Sequence, residues 1–299
     1  MKILIILRKL KGGVGRANTE IANALRKKGH KVDILSREDD LKIYSLAKSI
    51  FPLRRKIRKL MKEKNYDIIY TQDYSMAIPL LFPRPIFWKK HFCCFCGTKK
   101  WIQPDAFTGH HRIIQKIVGV MMGRKLVSIG DGIHKRFPKS TKIYRGVDFK
   151  KFRPLGKKRD RVGWIKRDTE LISKKELRKI SKSTGLKLTI AENIPPHKMN
   201  NFYNKCKVFI SLPRNDGYNN SWNEAIAAGT PIIIGNEEGA GSFLPIHTIP
   251  YKKNKVGGIV DIINNTKGKS NRKWLINNNF SWEDKTDELI KFFRNNLRK

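Results

Sequence analysis

The sequence predicts an α/β fold built as two Rossmann-like α/β/α halves, and three observations carry that prediction. A length of 299 residues, 39% of them hydrophobic, suffices for two domains of about 150 residues, each with its own core. A strand, glycine loop, helix and second strand open the chain between Lys2 and Leu35. A second unit of the same kind, KVFISLPRNDGYNNSWNEAIAAGTPIIIG, occupies Lys207 to Gly235. Crossovers of this βαβ type are right-handed and lie on a parallel sheet, whose ligands sit outside the carboxyl ends of the strands.

In the opening unit Lys2–Leu7 (KILIIL) is a strand, and the loop Gly12-Gly13-Val14-Gly15 opens a helix with Ile21, Ala22 and Leu25 on one face. Gly29-His30 ends that helix and Val32–Leu35 is the second strand. The dinucleotide fingerprint is incomplete, because Asn18 stands at the third glycine position, which leaves NAD binding only as an alternative. Leu41–Asn65 interleaves Arg54, Arg55, Lys56, Arg58, Lys59, Lys62 and Lys64 with Ile50, Phe51, Leu53, Ile57, Leu60 and Met61. Such a basic amphipathic helix reads either as a membrane-surface element or as a core stripe with a solvated basic face. Asp67–Tyr70 is the third strand, Pro85–Thr98 the next strand with its loop, Ile113–Met122 a helix and Lys125–Ser128 a strand. Cys93 and Cys96 have C-x-x-C spacing with His91 nearby, but Cys206 stands alone, so apolar packing of reduced thiols is expected and no metal site.

In the second half, strands are expected at Arg161–Ile165 and Leu186–Ala191, the latter followed by the loop Glu192-Asn193-Ile194-Pro195 and a helix over His197–Cys206. Val208–Leu212 is then a buried strand, and Pro213 with Asn215-Asp216-Gly217 breaks it into a loop. Ser221 is placed to cap the next helix, with Glu224 three residues later and Gly229 at the left-handed C′ position. Thr230-Pro231 leads into the strand Ile232–Ile234, and Asn236–Gly241 forms a second ligand-facing loop. The loop Pro213–Ser221 should face a ligand flanked by the carboxylates of Asp216 and Glu224. A helix N-terminus suits phosphate and carboxylates suit hydroxyls, so phosphate plus polyol suggests a nucleotide sugar. The same residues also support a structural reading, with Ser221 and Glu224 as a capping box and Asp216-Gly217 as a turn dipeptide.

The run from Asp216 to Pro231 resembles the signature of family 4 retaining glycosyltransferases, which have the GT-B fold of two Rossmann-like domains facing across a cleft. That signature is a loop acid, Gly, an aromatic residue, Glu eight positions after the acid, and a small-residue helix ending Ala-Gly-x-Pro. The acid here is Asp216 in place of the usual Glu, and the second is Glu224. The resemblance implies that Asp216 bonds hydroxyls of the donor sugar, that Glu224 holds its ribose, and that Gly217, Tyr218, Asn219, Asn220 and Ser221 line the donor site. GGVGRANTEIANALRKKGHKVDIL looks like the family's first βαβ, which implies that Gly13, Val14, Gly15 and Arg16 approach the donor diphosphate; a plain tight turn competes. The family's His-Gly-Thr near the transferred sugar is replaced by Cys96-Gly97-Thr98. Trp164 occupies the usual position of a diphosphate-clamping arginine, with Lys166 and Arg167 as substitutes inferred from charge, and the loop at Asn193 and Ile194 would hold the base. Gly146-Val147-Asp148, Phe152 and Pro154 match the family linker. The expected domains are therefore 1–154 on the acceptor side and 155–299 on the donor side, the amphipathic helix after Phe280-Ser281-Trp282-Glu283 being a candidate to pack back on the first.

Lys and Arg number 64 against 25 Asp and Glu, a net charge of +39. Such an excess favours anionic partners, a phospholipid surface ahead of nucleic acid since no aromatic-basic motif is present, although compositional drift toward lysine is a competing account. Without an apolar run of membrane-spanning length or a signal-peptide pattern, a cytoplasmic protein, or one peripheral on the inner membrane face, is expected. The expected activity is transfer of a sugar from a nucleotide-diphosphate sugar to a lipid-linked or polysaccharide acceptor with retention, without cofactor or metal. A catalytically silent basic binding protein on the same fold is the alternative. Oligomeric state is not legible.

Overall fold

The computed structural model describes residues 1–97, 108–166, 170–212, 218–235, 247–249, 255–265 and 271–297. Arg167, Asp216, Gly217 and the loop Asn236–Gly241 lie outside the described residues. Two compact units form, one from Met1–Tyr144 with Trp282–Lys299, the other from Arg145–Ser281.

The first unit runs β1 (Lys2–Leu7), α1 (Gly12–Lys27), β2 (Lys31–Ser36), α2 (Arg37–Asp40), α3 (Leu46–Lys64), β3 (Ile68–Gln72), α4 (Tyr74–Leu81), β4 (His91–Phe95), α5 (Thr108–Met122), β5 (Leu126–Ser128), α6 (Asp131–Arg136) and β6 (Thr141–Lys142). Its six strands lie in the order β2-β1-β3-β4-β5-β6, and every pair is parallel. β1, β3 and β4 are buried almost end to end, which explains why they read as unbroken apolar runs and not as alternations. Two polar side chains meet inside this sheet: Thr71 Oγ1 donates to the Phe92 carbonyl at 3.2 Å and lies 3.0 Å from His91 Nε2. Burial, with Lys125 adding to it, pushes the His91 imidazole down to about 3, and burial pushes the Cys93 thiol up.

One sequence expectation changes here, and of two open readings one is decided. The glycines do not form a loop ahead of α1 but its first turn, and Gly15 is buried where a Cβ would lie 1.8 Å from the Leu10 carbonyl oxygen. On α3 the apolar residues Leu53, Ile57 and Met61 pack against Leu4, Ile6, Leu35 and Ile69, so the stripe is core and does not face a membrane. Arg54 is not on the solvated face either: its guanidinium is buried and donates to the carbonyls of Pro79 (2.9 Å), Phe82 (2.8 Å) and Arg84 (2.7 Å). Arg55, Lys56, Arg58, Lys59 and Lys62 remain exposed.

The second unit runs β7 (Arg161–Ile165), α7 (Lys174–Thr184), β8 (Lys187–Ala191), α8 (Met199–Lys205), β9 (Cys206–Ser211), α9 (Asn220–Ala227), β10 (Ile232–Gly235), β11 (His247–Ile249), α10 (Lys255–Asn265) and α11 (Arg272–Asn277). Its parallel sheet has the order β11-β10-β9-β7-β8. Val162, Trp164, Ile210 and Ile233 from the strands meet Leu177 and Ile180 of α7 and Ile259 and Ile263 of α10 in one core. α7 was missed in sequence, although Ser173 and Glu176 form a complete capping box and Gly185 ends the helix at φ +67°.

The stretch 145–154 does not bridge the units; it belongs to the second, and the division falls between Tyr144 and Arg145, ten residues before the expected boundary. Val147 N–H donates to the Phe280 carbonyl at 2.9 Å, and Arg272 donates to the carbonyls of Phe149 (3.1 Å) and Phe152 (2.6 Å), which pins the stretch down. The last helix, α12 (Trp282–Leu297), is part of the first unit. Its Phe293 ring stands 5.3 Å from Tyr70 and 5.2 Å from Phe92, and Lys28 pairs with Asp287 at 2.8 Å. Among the described residues no helix is long and apolar enough to cross a membrane.

Because the His91 imidazole is held neutral in the fold while it titrates near 6.5 in an unfolded chain, its contribution to stability is present above pH 6.5 and is lost as pH falls. The unfolding free energy of the parent should therefore drop relative to that of His91→Leu by up to about 1.4 kcal/mol per pH unit below 6.5. Urea titrations of both proteins at pH 7, 6 and 5 measure this; a gap independent of pH would contradict it.

Candidate functional site

In a doubly wound sheet the place where successive crossovers leave in opposite directions is a crevice at the strands' carboxyl ends. The second unit has that point between β9 and β7, since β7 leads outward to β8 and β9 leads the other way to β10. Glu224, on α9 directly after β9, is only 7% exposed, and its Oε2 accepts from Tyr203 Oη at 2.9 Å. Tyr203 is itself fully buried, its ring against Phe152, Phe202 and Phe209. The expected capping box is not formed here. α9 starts at Asn220 with Asn219 at the N-cap and no side-chain cap bond, so Ser221 lies inside the first turn and Glu224 is aimed elsewhere. The other end is as expected: Gly229, at φ +78°, closes a Schellman motif through Gly229 N–H to Ile226 O (2.9 Å) and Thr230 N–H to Ala225 O (2.9 Å).

The residues expected beside Glu224 divide into two groups. Asn219 and Asn220 are half-buried at the helix start, while Tyr218 and Ser221 are buried. The Tyr218 hydroxyl donates to Asn223 Oδ1, Asn223 Nδ2 donates to the Arg145 carbonyl at 2.7 Å, and the Tyr218 ring packs edge-on against Trp222. Tyr218 therefore braces the loop's return into α9. At the ends of β7 and β8, Lys166 Nζ bonds Glu192 Oε1, and that bond holds the Glu192 carboxyl below its usual range. Asn193 follows in left-handed conformation at φ +55°, with Ile194 half-buried beyond it. Trp164 is core, 4% exposed between neighbours Ile190 and Ile210, and supplies no cation. Glu170 was not foreseen: buried, it accepts from Leu212 N–H at 2.5 Å and Ser211 Oγ at 3.2 Å, clasping the point where β9 ends. An isolated Glu gives no sequence signal for that role.

The first unit has its own crevice between β1 and β3, and a cavity of about 460 Å³ opens there. Gly12, Gly13 and Val14 of α1, Gln72 at the end of β3, Asp73 after it, and Cys96 after β4 line it. Arg8, Lys9, Lys11 and Arg37 add four cations, and Tyr74 and His111 complete one side. Gly13, Val14 and Cys96 are thus brought together, whereas Gly15 is packed under Leu10 and neither it nor Arg16 is on the lining. Cys96 Sγ lies 3.7 Å from Gln72 Oε1, and the Gly97 carbonyl accepts from Gln115 Nε2 at 2.8 Å. The histidine expected at position 96 is missing, but His111 reaches the same cavity from α5, with Nδ1 2.9 Å from Tyr74 Oη. Asp73 has φ +73° and ψ 158°, a region that costs a non-glycine residue about 1–3 kcal/mol. Its N–H is held by the Cys94 carbonyl at 2.7 Å, and its carboxylate accepts from Tyr74 N–H at 2.8 Å. Neither Asp73 nor His111 announces itself in sequence, because crossovers bring them to one crevice.

Among the described residues no group of three His, Cys, Asp or Glu side chains is arranged to hold a metal. A separate depression of about 1270 Å³ on the first unit is bordered by Phe51, Arg55, Arg58, Lys59 and Arg84.

Residues 11–105 match the family model for Glycosyltransferase Family 4. No curated protein is detectably similar to the chain in sequence. Among solved structures it is similar to sucrose-phosphate synthase from Thermosynechococcus elongatus, at 12% identity and TM-score 0.76 over 99% of both chains. It is also similar to a glycosyltransferase from Rickettsia africae (17% identity, TM-score 0.70, covering 100% of this chain and 99% of that one). Anabaena HepE in complex with UDP is a third (14% identity, TM-score 0.65, covering 99% of this chain and 100% of that one). The fold is GT-B, and the resemblance to glycosyltransferase family 4 carried by the motifs is met by the family match over residues 11–105.

Proposed function

We propose that the protein is a retaining glycosyltransferase that moves a sugar from a nucleotide-diphosphate sugar to an acceptor, its second unit taking the donor and its first the acceptor. The observation that carries this reading is the buried Glu224 carboxylate at the crevice of the second unit, turned to Tyr203 and not spent on capping its own helix. Glu224 then holds the donor ribose and Asp216 the hydroxyls of the transferred sugar, with Asn219 and Asn220 at the start of α9 and Lys166, Arg167, Asn193 and Ile194 toward phosphates and base. Cys96, Gly97 and His111 of the first unit stand on the side of the acceptor. In this class the leaving phosphate takes the acceptor's proton on the face from which it departs, so the protein contributes position and charge. A metal is not needed if basic side chains compensate the departing diphosphate.

The second reading, a silent binding protein on this fold, is favoured by one observation: Trp164 is sealed in the core where the family presents an arginine. Hydrolysis of a panel of nucleotide sugars separates the two readings. The charge excess supports an anionic membrane surface as partner, through the exposed face of α3.

Glu224→Gln keeps an acceptor for the Tyr203 hydroxyl, so the fold should lose little, while nucleotide-sugar affinity should fall by a charged hydrogen bond, about 1.5–3 kcal/mol. Calorimetric titration that finds the affinity unchanged would remove Glu224 from the donor site.

Transfer or donor hydrolysis should survive EDTA, and loss of activity restored by manganese or magnesium would contradict metal independence.

Vesicles containing acidic phospholipid should bind at low salt and release as ionic strength rises, the Debye length shrinking from about 30 Å at 0.01 M to about 8 Å at 0.15 M. Reversal of Arg55, Arg58 and Lys59 to Glu should abolish this binding and spare nucleotide-sugar binding; Arg54, being structural, is left alone. Equal binding by the reversed protein would leave compositional drift as the better account of the charge.

A further inference from the structure

The cavity of the first unit is more basic, and leaves more buried donors unsatisfied, than a neutral sugar acceptor would require. Among the described residues four cations line it with one carboxylate, that of Asp73; Glu38, outside the lining, pairs with Arg8 at 2.9 Å and Arg37 at 3.3 Å. Two lining side chains are more than nine-tenths buried and carry polar hydrogens with no acceptor among the described residues. Gln72 is 2% exposed, and its Nε2 has no partner although its Oε1 faces Cys96. Arg37 is 3% exposed; its Nη2 donates to Glu38 and to the Tyr44 carbonyl, and its Nε has no partner. Such groups are normally paired with protein or water, and these two belong to side chains that line the cavity. The volume of about 460 Å³ suits a small polar molecule.

We propose that this cavity takes an acceptor bearing a phosphate group. The phosphate lies toward Arg8, Lys11 and Arg37, whose guanidinium and ammonium groups suit its oxygens. A hydroxyl of the same molecule accepts from Gln72 Nε2 and faces Asp73 and His111. This names the acceptor class for the glycosyl-transfer reading and rests on it. A sugar phosphate and a polyprenyl phosphate share the chemistry and are separated by the test.

The full chain is titrated with glucose 6-phosphate and with farnesyl phosphate, each beside its uncharged counterpart, glucose or farnesol, and with UDP. One phosphorylated probe should bind at least tenfold more tightly than its counterpart, weaken with salt, and bind together with UDP. Which probe does so assigns the source. Gln72→Met should cost at least tenfold in probe affinity while the thermal midpoint of the ligand-free protein stays level or rises, because a buried unpaired donor is removed. The exposed double variant Lys9→Gln/Lys11→Gln should weaken the probe and its salt dependence, and it keeps the test open if Gln72→Met does not fold. Equal binding of charged and uncharged forms, no binding of any probe, or undiminished binding by a folded Gln72→Met would overturn the proposal. So would displacement of the probe by UDP, which would give the cavity to the donor's diphosphate. If the phosphorylated probe binds as described but UDP and nucleotide sugars do not, the phosphate site stands and the glycosyl-transfer reading falls.

Discussion

Burial of parallel strands on both faces is the constraint on which the rest of the molecule depends. A strand such as Ile3–Leu7, with no residue more than 1% exposed, leaves no face for polar chemistry and admits no tight turn to its neighbour. Each strand must hand over to a covering helix, and polar groups collect where strands end and helices begin. Both units obey this rule separately, and each reverses its strand order once, between β1 and β3 and between β9 and β7.

Inside the first sheet, Thr71 and His91 are polar and bonded to each other through Nε2, with His91 Nδ1 left without a partner among the described residues. At the carboxyl edge, Asp73 occupies a backbone region suited to glycine, Gln72 and Arg37 keep buried donors unpaired, and Glu224 and Glu170 are carboxylates removed from water. Strain and unsatisfied donors persist only when the surrounding structure over-determines them, and here the surrounding strands do.

The basic surface has a structural side as well. Arg54 shows that a cationic helix face cannot be assigned to solvent residue by residue: its guanidinium tethers three carbonyls of the 79–84 turn, while Arg55 and Arg58 beside it stay in water. Neutralising peptide carbonyls needs several donors in a fixed fork, which arginine has and lysine lacks.

By itself the sequence determined what depends on local period and on short motifs. Apolar and β-branched runs located the longer described strands, Gly229 located the end of α9, and the acid and glycine pattern of 216–231 carried the resemblance to the family. A capping box was legible too, yet it was read at Ser221 and Glu224 and overlooked at Ser173 and Glu176, where it forms. The difference is tertiary, since Tyr203 arrives from α8 to take the Glu224 carboxylate, whereas Glu176 Oε2 turns back to Ser173. The assembly of the first unit's cavity from Arg8, Arg37, Gln72, Cys96 and His111 was likewise decided only by the crossovers. Such residues are far apart in the chain and carry no mutual spacing to read, because a parallel sheet brings together strand ends that sequence order keeps separate.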